Sequence, residues 1–366
     1  LSFSQSCPVT PGQSHKQPFV IPIKLGLVGA DGEDLVLNKQ GDQSIVFSLY
    51  DTSQTLIFEN IQQPPVPSLL RGFSAPIKLN YAYTSDELGH LMAHDSDGFN
   101  RWDAGQKLSL LVLNKLIDDA KAGRELIMDQ QLLRVFGDLL ADHSLDPAMV
   151  NLMLQLPSEA QLHEQAETIY VEAIHRAREF ARASIAGALQ QQLLETYQRL
   201  TDQQAYAPEA TQIGKRALRN CVLGYLMQVE TIGPVLAWQQ FNDASNMTDK
   251  ASALSALVNC KAADSYTHKA LKAFEIDYVD ETLAMNLWLQ IQATSKLING
   301  LDRVKALMAH PAFSINNPNK ARSLLGAFCS ANPINFHTAD GSGYGFLKEQ
   351  IIALNALNPQ VAARLV

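Results

Sequence analysis

Hydrophobic and polar positions follow two different periods along this 366-residue chain. In residues 1–84 the period is two. Phe19, Ile21, Ile23, Leu25 and Leu27 alternate with other residues, then Ile45, Phe47 and Leu49, then Ile77, Leu79, Tyr81 and Tyr83. Alternation places one set of side chains on one face of a strand, as in a half-buried sheet. Turn signals separate the runs: Asp31-Gly32, then Asp51-Thr52-Ser53 leading into Leu56-Ile57-Phe58, then a break at Pro64-Pro65-Val66-Pro67. Short strands between turns predict a small antiparallel β-sandwich over residues 1–84. Leu1 and Phe3 already alternate with Ser2 and Ser4, so the sandwich is expected to be incomplete at its N-terminal edge.

From about residue 85 the period changes to 3.6. Trp102, Leu108, Leu111 and Leu116 form an apolar stripe after the polar run 97–100. Asp146-Pro147, Asn317-Pro318 and Asn358-Pro359 each put a capping residue before a proline at the first helical position. Ser158 with Gln161 fits a capping box. The pattern predicts one long helix over 168–200. Further helices are expected at 208–229, 234–244, 249–260, 264–275, 280–293, 301–309, 318–329 and 344–356. Short breaks and no long strand favour stacked helix pairs over a bundle. The expected fold is mainly α with an N-terminal all-β part: a truncated β-sandwich at 1–84 and an α-helical superhelix at 85–366. The helical pattern runs through Val361 and Leu365 without a closing glycine, so its C-terminal end is also expected to be incomplete.

Composition narrows the partners. Apolar residues make up 46% and charged residues 18%, with a formal net charge of −8 and scattered basic residues. That balance disfavours a nucleic acid or an anionic membrane, which need clustered Lys and Arg. No apolar run reaches the length of a membrane span. Cys7, Cys221, Cys260 and Cys329 are far apart, which fits free thiols in a reducing, cytoplasmic compartment.

Candidate chemistry is sparse. A thermolysin-type zinc site needs His-Glu-x-x-His on a helix. The nearest run, His163-Glu164-Gln165-Ala166-Glu167, has Glu where the second His must stand, and reads as an exposed charged helix face. His90 and His94 would share a helix face beside Asp95, but two imidazoles neither close a structural metal site nor define a catalytic one. Asp95-Ser96-Asp97-Gly98 departs from a calcium loop, with glycine too early and no acid at the twelfth position. The glycine-rich run 340–348 lacks the Gly-Lys-Ser/Thr of a phosphate loop and reads as a sharp turn into a helix. No residues here form a catalytic or metal set.

Several segments, in order along the whole chain, are similar to bacterial-type aminopeptidase N. They are Pro65-Val66-Pro67-Ser68-Leu69-Leu70-Arg71-Gly72-Phe73-Ser74-Ala75-Pro76-Ile77-Lys78-Leu79, Asp97-Gly98-Phe99-Asn100-Arg101-Trp102-Asp103-Ala104, Lys215-Arg216-Ala217-Leu218-Arg219-Asn220, Asn246-Met247-Thr248-Asp249 and Ile291-Gln292-Ala293-Thr294. The longest is Asn317-Pro318-Asn319-Lys320-Ala321-Arg322-Ser323-Leu324-Leu325-Gly326-Ala327-Phe328, followed by Asn335-Phe336-His337 and Asp340-Gly341-Ser342-Gly343-Tyr344.

The resemblance implies the C-terminal segment of a zinc aminopeptidase, a peptide hydrolase. Its zinc ligands and glutamate base would lie in an upstream catalytic domain of the same polypeptide, so no cofactor is expected in this chain. The segment would be non-catalytic, cover the active site and shape the cavity for peptide substrates. Asn319, Lys320 and Arg322 are then the expected cavity residues. They fall at the start of a helix whose Ala321, Leu324, Leu325 and Phe328 stripe should pack inward. The free N–H groups of that helix start would favour a substrate carboxylate. Two other classes stand beside this: a stand-alone helical-repeat binding module, and an enzyme with its own site at His90 and His94.

Overall fold

The computed structural model describes residues 1–201 and 205–365. The chain divides into two compact units, Leu1–Val112 with Asp129–Leu156, and Leu113–Met128 with Pro157–Val366.

The first unit begins with five strands: β1 (Ser2–Ser4), β2 (Ile21–Val28), β3 (Ile45–Leu49), β4 (Ser53–Thr55) and β5 (Val66–Leu69). β1 pairs with β4, and β2 lies between β3 and β5; all pairings are antiparallel. Alternation on β2 buries Ile21, Ile23 and Leu25 while Pro22 and Lys24 stay exposed. These side chains join Phe3, Leu49, Leu69 and Leu70 in one small core. The Asp31-Gly32 turn is present, with Gly32 at φ +86 and its N–H donating to the Gly29 carbonyl. That left-handed φ is the reason for glycine there.

Four strand expectations fail. Phe19 is 56% exposed and precedes β2, so the buried alternation starts only at Ile21. The expected proline break contains β5, because Pro67 sits on an edge strand where its missing N–H removes no ladder bond. Residues 77–83 have no strand partner. Ile77 and Leu79 pack on the core as irregular chain, and Tyr83 donates its hydroxyl to the Pro67 carbonyl at 2.7 Å. Likewise β4 is Ser53–Thr55, ahead of the expected Leu56-Ile57-Phe58.

Helices α1 (Ser85–His94), α2 (Gly98–Lys121), α3 (Gln130–Ala141) and α4 (Pro147–Leu154) follow. Thr84 and Glu87 close a capping box on α1, and Asp97 Oδ1 accepts from the Asn100 N–H at the start of α2. The buried stripe of α2 uses Leu108, Val112, Leu113 and Leu116; Leu111, expected on it, lies off it at 47% exposed.

The second unit is helical. It holds α5 (Glu159–Gln165), α6 (Val171–Ala188), α7 (Gln190–Arg199), α8 (Ala210–Leu226), α9 (Gly233–Asp243), α10 (Met247–Val258) and α11 (Asp264–Tyr278). Then come α12 (Thr282–Ala293), α13 (Gly300–Met308), α14 (Pro318–Ala321), α15 (Ala327–Ala331), α16 (Pro333–Phe336), α17 (Ser342–Leu357) and α18 (Pro359–Ala363). Packing runs mainly between helices close in sequence, as in α7–α8, α9–α10 and α11–α12, which is the arrangement of a helical repeat.

Two expected helices are interrupted. The long helix at 168–200 breaks at Leu189 (φ −113, ψ 20), just after Gly187, a weak helix former; Leu189 and Leu193 are both buried across the break. The helix at 318–329 is α14 and α15 joined by a π-helical turn over Arg322–Gly326. The turn keeps Ala321, Leu324, Leu325 and Phe328 all fully buried. The capping expectations hold: Asp146, Ser158, Asn317 and Asn358 each accept a backbone N–H through the side chain.

Candidate functional site

The run at Pro318 carries the three expected cavity residues. Asn319 and Arg322 are exposed and Lys320 is half-buried, because the stripe beginning at Ala321 takes the inward positions. Arg322 Nε donates to the Pro318 carbonyl at 3.2 Å, which steadies the base of the guanidinium. Among the described residues no carboxylate pairs with Lys320 or Arg322, and Arg322 is exposed. The expectation of free N–H groups at this helix start does not hold. Asn317 Oδ1 accepts from the Asn319 and Lys320 N–H groups at 3.0 and 3.4 Å, so the cap has already satisfied them. Any anion held here is held by side chains. The π-helical turn begins at Arg322 itself, and such turns recur where a helix presents a functional side chain.

The other singled-out segments become polar staples between elements. In the first unit Arg71, 3% exposed, meets Asp34 at 2.6 Å and Asp95 at 3.1 Å, and its Nε donates to Ser68 Oγ at 2.8 Å. Asn100 Nδ2 closes the network on Ser68 Oγ and the Leu69 carbonyl. Gly26 is required by close approach, since a Cβ there would lie 2.3 Å from Arg71 Cζ. Burial works against the Asp34 charge, but the hydrogen bonds from Arg71 and Ser96 hold its carboxyl below the usual range. Burial pushes Asp95 up instead.

In the second unit, segments 215–220 and 246–249 meet on Asp249. Its carboxylate takes Arg219 at 2.7 Å, Asn246 at 2.8 Å and Asn220 at 3.1 Å. Gln240 ties Asn220 and the Asp249 carbonyl together, tying α8, α9 and α10 to one another. A third staple uses Asn332 Nδ2, which donates to the Ala293 and Ser295 carbonyls, and Asn335 Oδ1, which accepts from the Gly300 N–H. The sequence of these segments carries no catalytic signature. Their shared signal is amide and carboxylate side chains beside apolar helix positions, the residues that satisfy buried backbone groups.

The histidines are placed differently from the expectation in one case. His90 Nε2 lies 2.7 Å from the Gly29 carbonyl, and the His94 ring sits tilted beside it, 4.9 Å between centroids, and close to Gly32. That occupies the imidazole most suited to a metal. Among the described residues no three or more His, Cys, Asp or Glu side chains are grouped to hold a metal ion. His163, expected on an exposed charged face, is half-buried with its Nε2 enclosed. The reason is Glu159 one turn earlier: 6% exposed, it accepts from His175 Nδ1 at 2.9 Å and pairs with Lys296 at 2.6 Å, pulling that side of α5 inward. Burial holds the His163 imidazolium below its usual range; Glu159 opposes this, and His337 and Lys296 add to it.

Comparison with known proteins finds an Ig-like part followed by helical repeats. The family described as "Domain of unknown function (DUF3458_C) ARM repeats" matches residues 85–366, and "Domain of unknown function (DUF3458) Ig-like fold" matches residues 1–82. Aminopeptidase N of Escherichia coli (strain K12) is 38% identical over 369 residues, covering 100% of this chain and 42% of that protein. Aminopeptidase N of Haemophilus influenzae is 37% identical over 369 residues, with the same coverage. Aminopeptidase N of Caulobacter vibrioides is 36% identical over 347 residues, covering 93% of this chain and 38% of that protein. The crystal structure of Legionella pneumophila aminopeptidase A in complex with aspartic acid superposes with a TM-score of 0.79 at 32% identity, covering 94% of this chain and 40% of that one. The chain thus spans about two fifths of the length of these relatives.

Proposed function

We propose that this chain, which belongs to the DUF3458 family and corresponds to the C-terminal region of aminopeptidase N, is the non-catalytic part of a zinc metallo-aminopeptidase that removes N-terminal residues from peptides. The reading rests on the unbroken match along the whole chain to proteins of which it covers 42%. In this reading the metal and its ligands belong to an upstream catalytic domain of the same polypeptide, and the border between sandwich and helical cap lies at residues 84 and 85. The four free, half-buried thiols fit a reducing, cytoplasmic compartment; burial pushes Cys221 up to about 12 and Cys329 up to about 11. No helix among the described residues is long and apolar enough to cross a membrane.

The helical region covers the active site and shapes the peptide cavity, with Asn319, Lys320 and Arg322 as its contact to substrate. An exposed, unpaired guanidinium suits a carboxylate, which it grips with two parallel N–H donors. The ligand we assign is the C-terminal carboxylate of a short peptide. Arg322→Ala in the complete polypeptide tests it. The specificity constant for a tri- or tetrapeptide should fall roughly tenfold, the worth of one lost charge-assisted hydrogen bond. An aminoacyl anilide has no distant carboxylate and should be unaffected. Equal loss on both substrates, or no loss on either, would remove Arg322 from the cavity.

A further inference from the structure

The second unit contains a cavity of about 710 Å³ that the aminopeptidase reading does not use. Four side chains able to carry positive charge line it: Lys121, His163, Arg176 and His337. They come from four separate places in the chain, the end of α2, α5, α6 and the segment after α16. Glu172 is the one carboxylate among the lining residues. Arg176 has no ion pair among the described residues, and His163 Nε2 is buried without a hydrogen-bond partner. A polar atom enclosed in this way is costly unless something meets it. Cations converging on one concavity likewise create a field that attracts an anion.

The rest of the lining is aromatic. Tyr170 and Tyr344 both face the cavity; the Lys121 ammonium lies 4.4 Å from the Tyr170 ring centroid, and Tyr344 hydroxyl and His337 Nδ1 share a 2.6 Å hydrogen bond. The start of the 18-residue helix α6 adds to the same field. Its cap residue Tyr170 gives no side-chain cap bond, and Val171, Glu172 and Ala173 of its first turn are lining residues. The volume is far larger than a bare oxyanion needs, and two tyrosines line it.

We propose that this cavity binds a small dianionic ligand, a phosphate monoester carried on a flat ring. Arg176 and Lys121 supply the fixed charge, His163 Nε2 meets the buried oxygen, and Tyr170 and Tyr344 flank the ring. A phosphate monoester is preferred over a carboxylate because two permanent cations, Arg176 and Lys121, exceed what a single negative charge can use.

Phenyl phosphate is the probe, titrated calorimetrically into the chain at low salt, with inorganic phosphate and benzoate as separate arms. The expected result is saturable one-to-one binding of phenyl phosphate, tighter than either of the others. Arg176→Ala and His163→Gln should each weaken it about tenfold, as loss of a charge-assisted or buried hydrogen bond does. Glu172→Gln should tighten it about threefold by removing the repelling carboxylate, an effect that damage to the fold would not produce. Lys305→Ala, which removes an exposed charge elsewhere, should leave it unchanged. Absence of saturable binding, or a Glu172→Gln variant that binds no tighter, would overturn the site. Equal affinity for inorganic phosphate would overturn the ring-bearing ligand, and equal affinity for benzoate would overturn the dianion. None of these outcomes bears on Arg322, whose test uses peptide hydrolysis.

Discussion

A carboxylate that is only 6% exposed keeps its charge when its partners outweigh desolvation, and Glu159 does so through His175 and Lys296. Burial alone would raise its pKa; the His175 hydrogen bond and the Lys296 charge bring it down from 4.5 to about 2. A depressed folded-state pKa means stability that is fully present above the unfolded value and lost as pH falls through the folded one. The window is therefore about pH 5 to 2, and the shift corresponds to about 3 kcal/mol at neutral pH. Glu159→Gln keeps the shape and removes the charge. Its melting temperature should be lower than that of the parent chain at pH 7, and the gap should narrow as pH falls below 5 and close only near pH 2. A gap that stays constant with pH would show that Glu159 is not ionised in the fold. None of this was legible in the sequence. Glu159 reads as an ordinary first-turn acid, and Lys296, its closest ionic partner, arrives only after seven further helices. His163 was misread for the same reason: its burial follows from what Glu159 does.

At the scale of elements, local signals succeeded wherever the determining residues are adjacent. The caps at Asp146, Ser158, Asn317 and Asn358 were readable because cap and first turn are neighbours in sequence. The glycine-rich run 340–348 is a turn into a helix, as its sequence predicts, and its glycines have separate jobs. Gly341 sits at φ +71 as the cap of α17. Gly343 lies against α16, where a Cβ would meet the Phe336 carbonyl oxygen at 2.1 Å, a backbone atom that cannot swing away. Gly345 has nothing within 4 Å. Gly343→Ala should therefore destabilise the chain by roughly 2 kcal/mol or more, by forcing α17 off α16. Gly345→Ala, two residues on, should stabilise it by up to about 1 kcal/mol through helix propensity. Chemical denaturation of the two variants should give opposite signs; the same sign for both would refute the close packing of α16 and α17. Elements were misread where pairing decides. Pro67 looked like a breaker until β2 supplied an edge position, and Tyr81 and Tyr83 alternate like a strand but find no strand to join.

For the whole molecule, the fold class was legible because a change of period from 2 to 3.6 needs no long-range information. The positions of the cavities were not, since each is assembled from helices distant in sequence. The candidate site was legible only in part: the stripe at Ala321 predicted which side chains point outward, while the π-helical turn at Arg322 and the cap that uses up the backbone N–H groups were invisible. The remaining expectation concerns metal. Stable zinc binding requires three or four grouped nitrogen, sulfur or oxygen ligands, and it links metal to folding whenever the site is structural. The best pair in this chain, His90 and His94, has one imidazole on the Gly29 carbonyl and the other against the backbone turn at Gly32. Asp95, the adjacent acid, is committed to Arg71 and the Asp97 N–H. Recruiting them would break the Arg71 staple and leave a buried guanidinium short of a partner, at a cost of several kcal/mol. The purified chain should therefore hold no stoichiometric zinc by elemental analysis, and it should leave an alanyl anilide uncleaved. A chelator should shift its melting temperature by less than about one degree, because no ligand binding contributes to its folding. A chelator-sensitive melt or hydrolysis rate from this chain alone would place a metal site within it and overturn the assignment of the chemistry to an upstream domain.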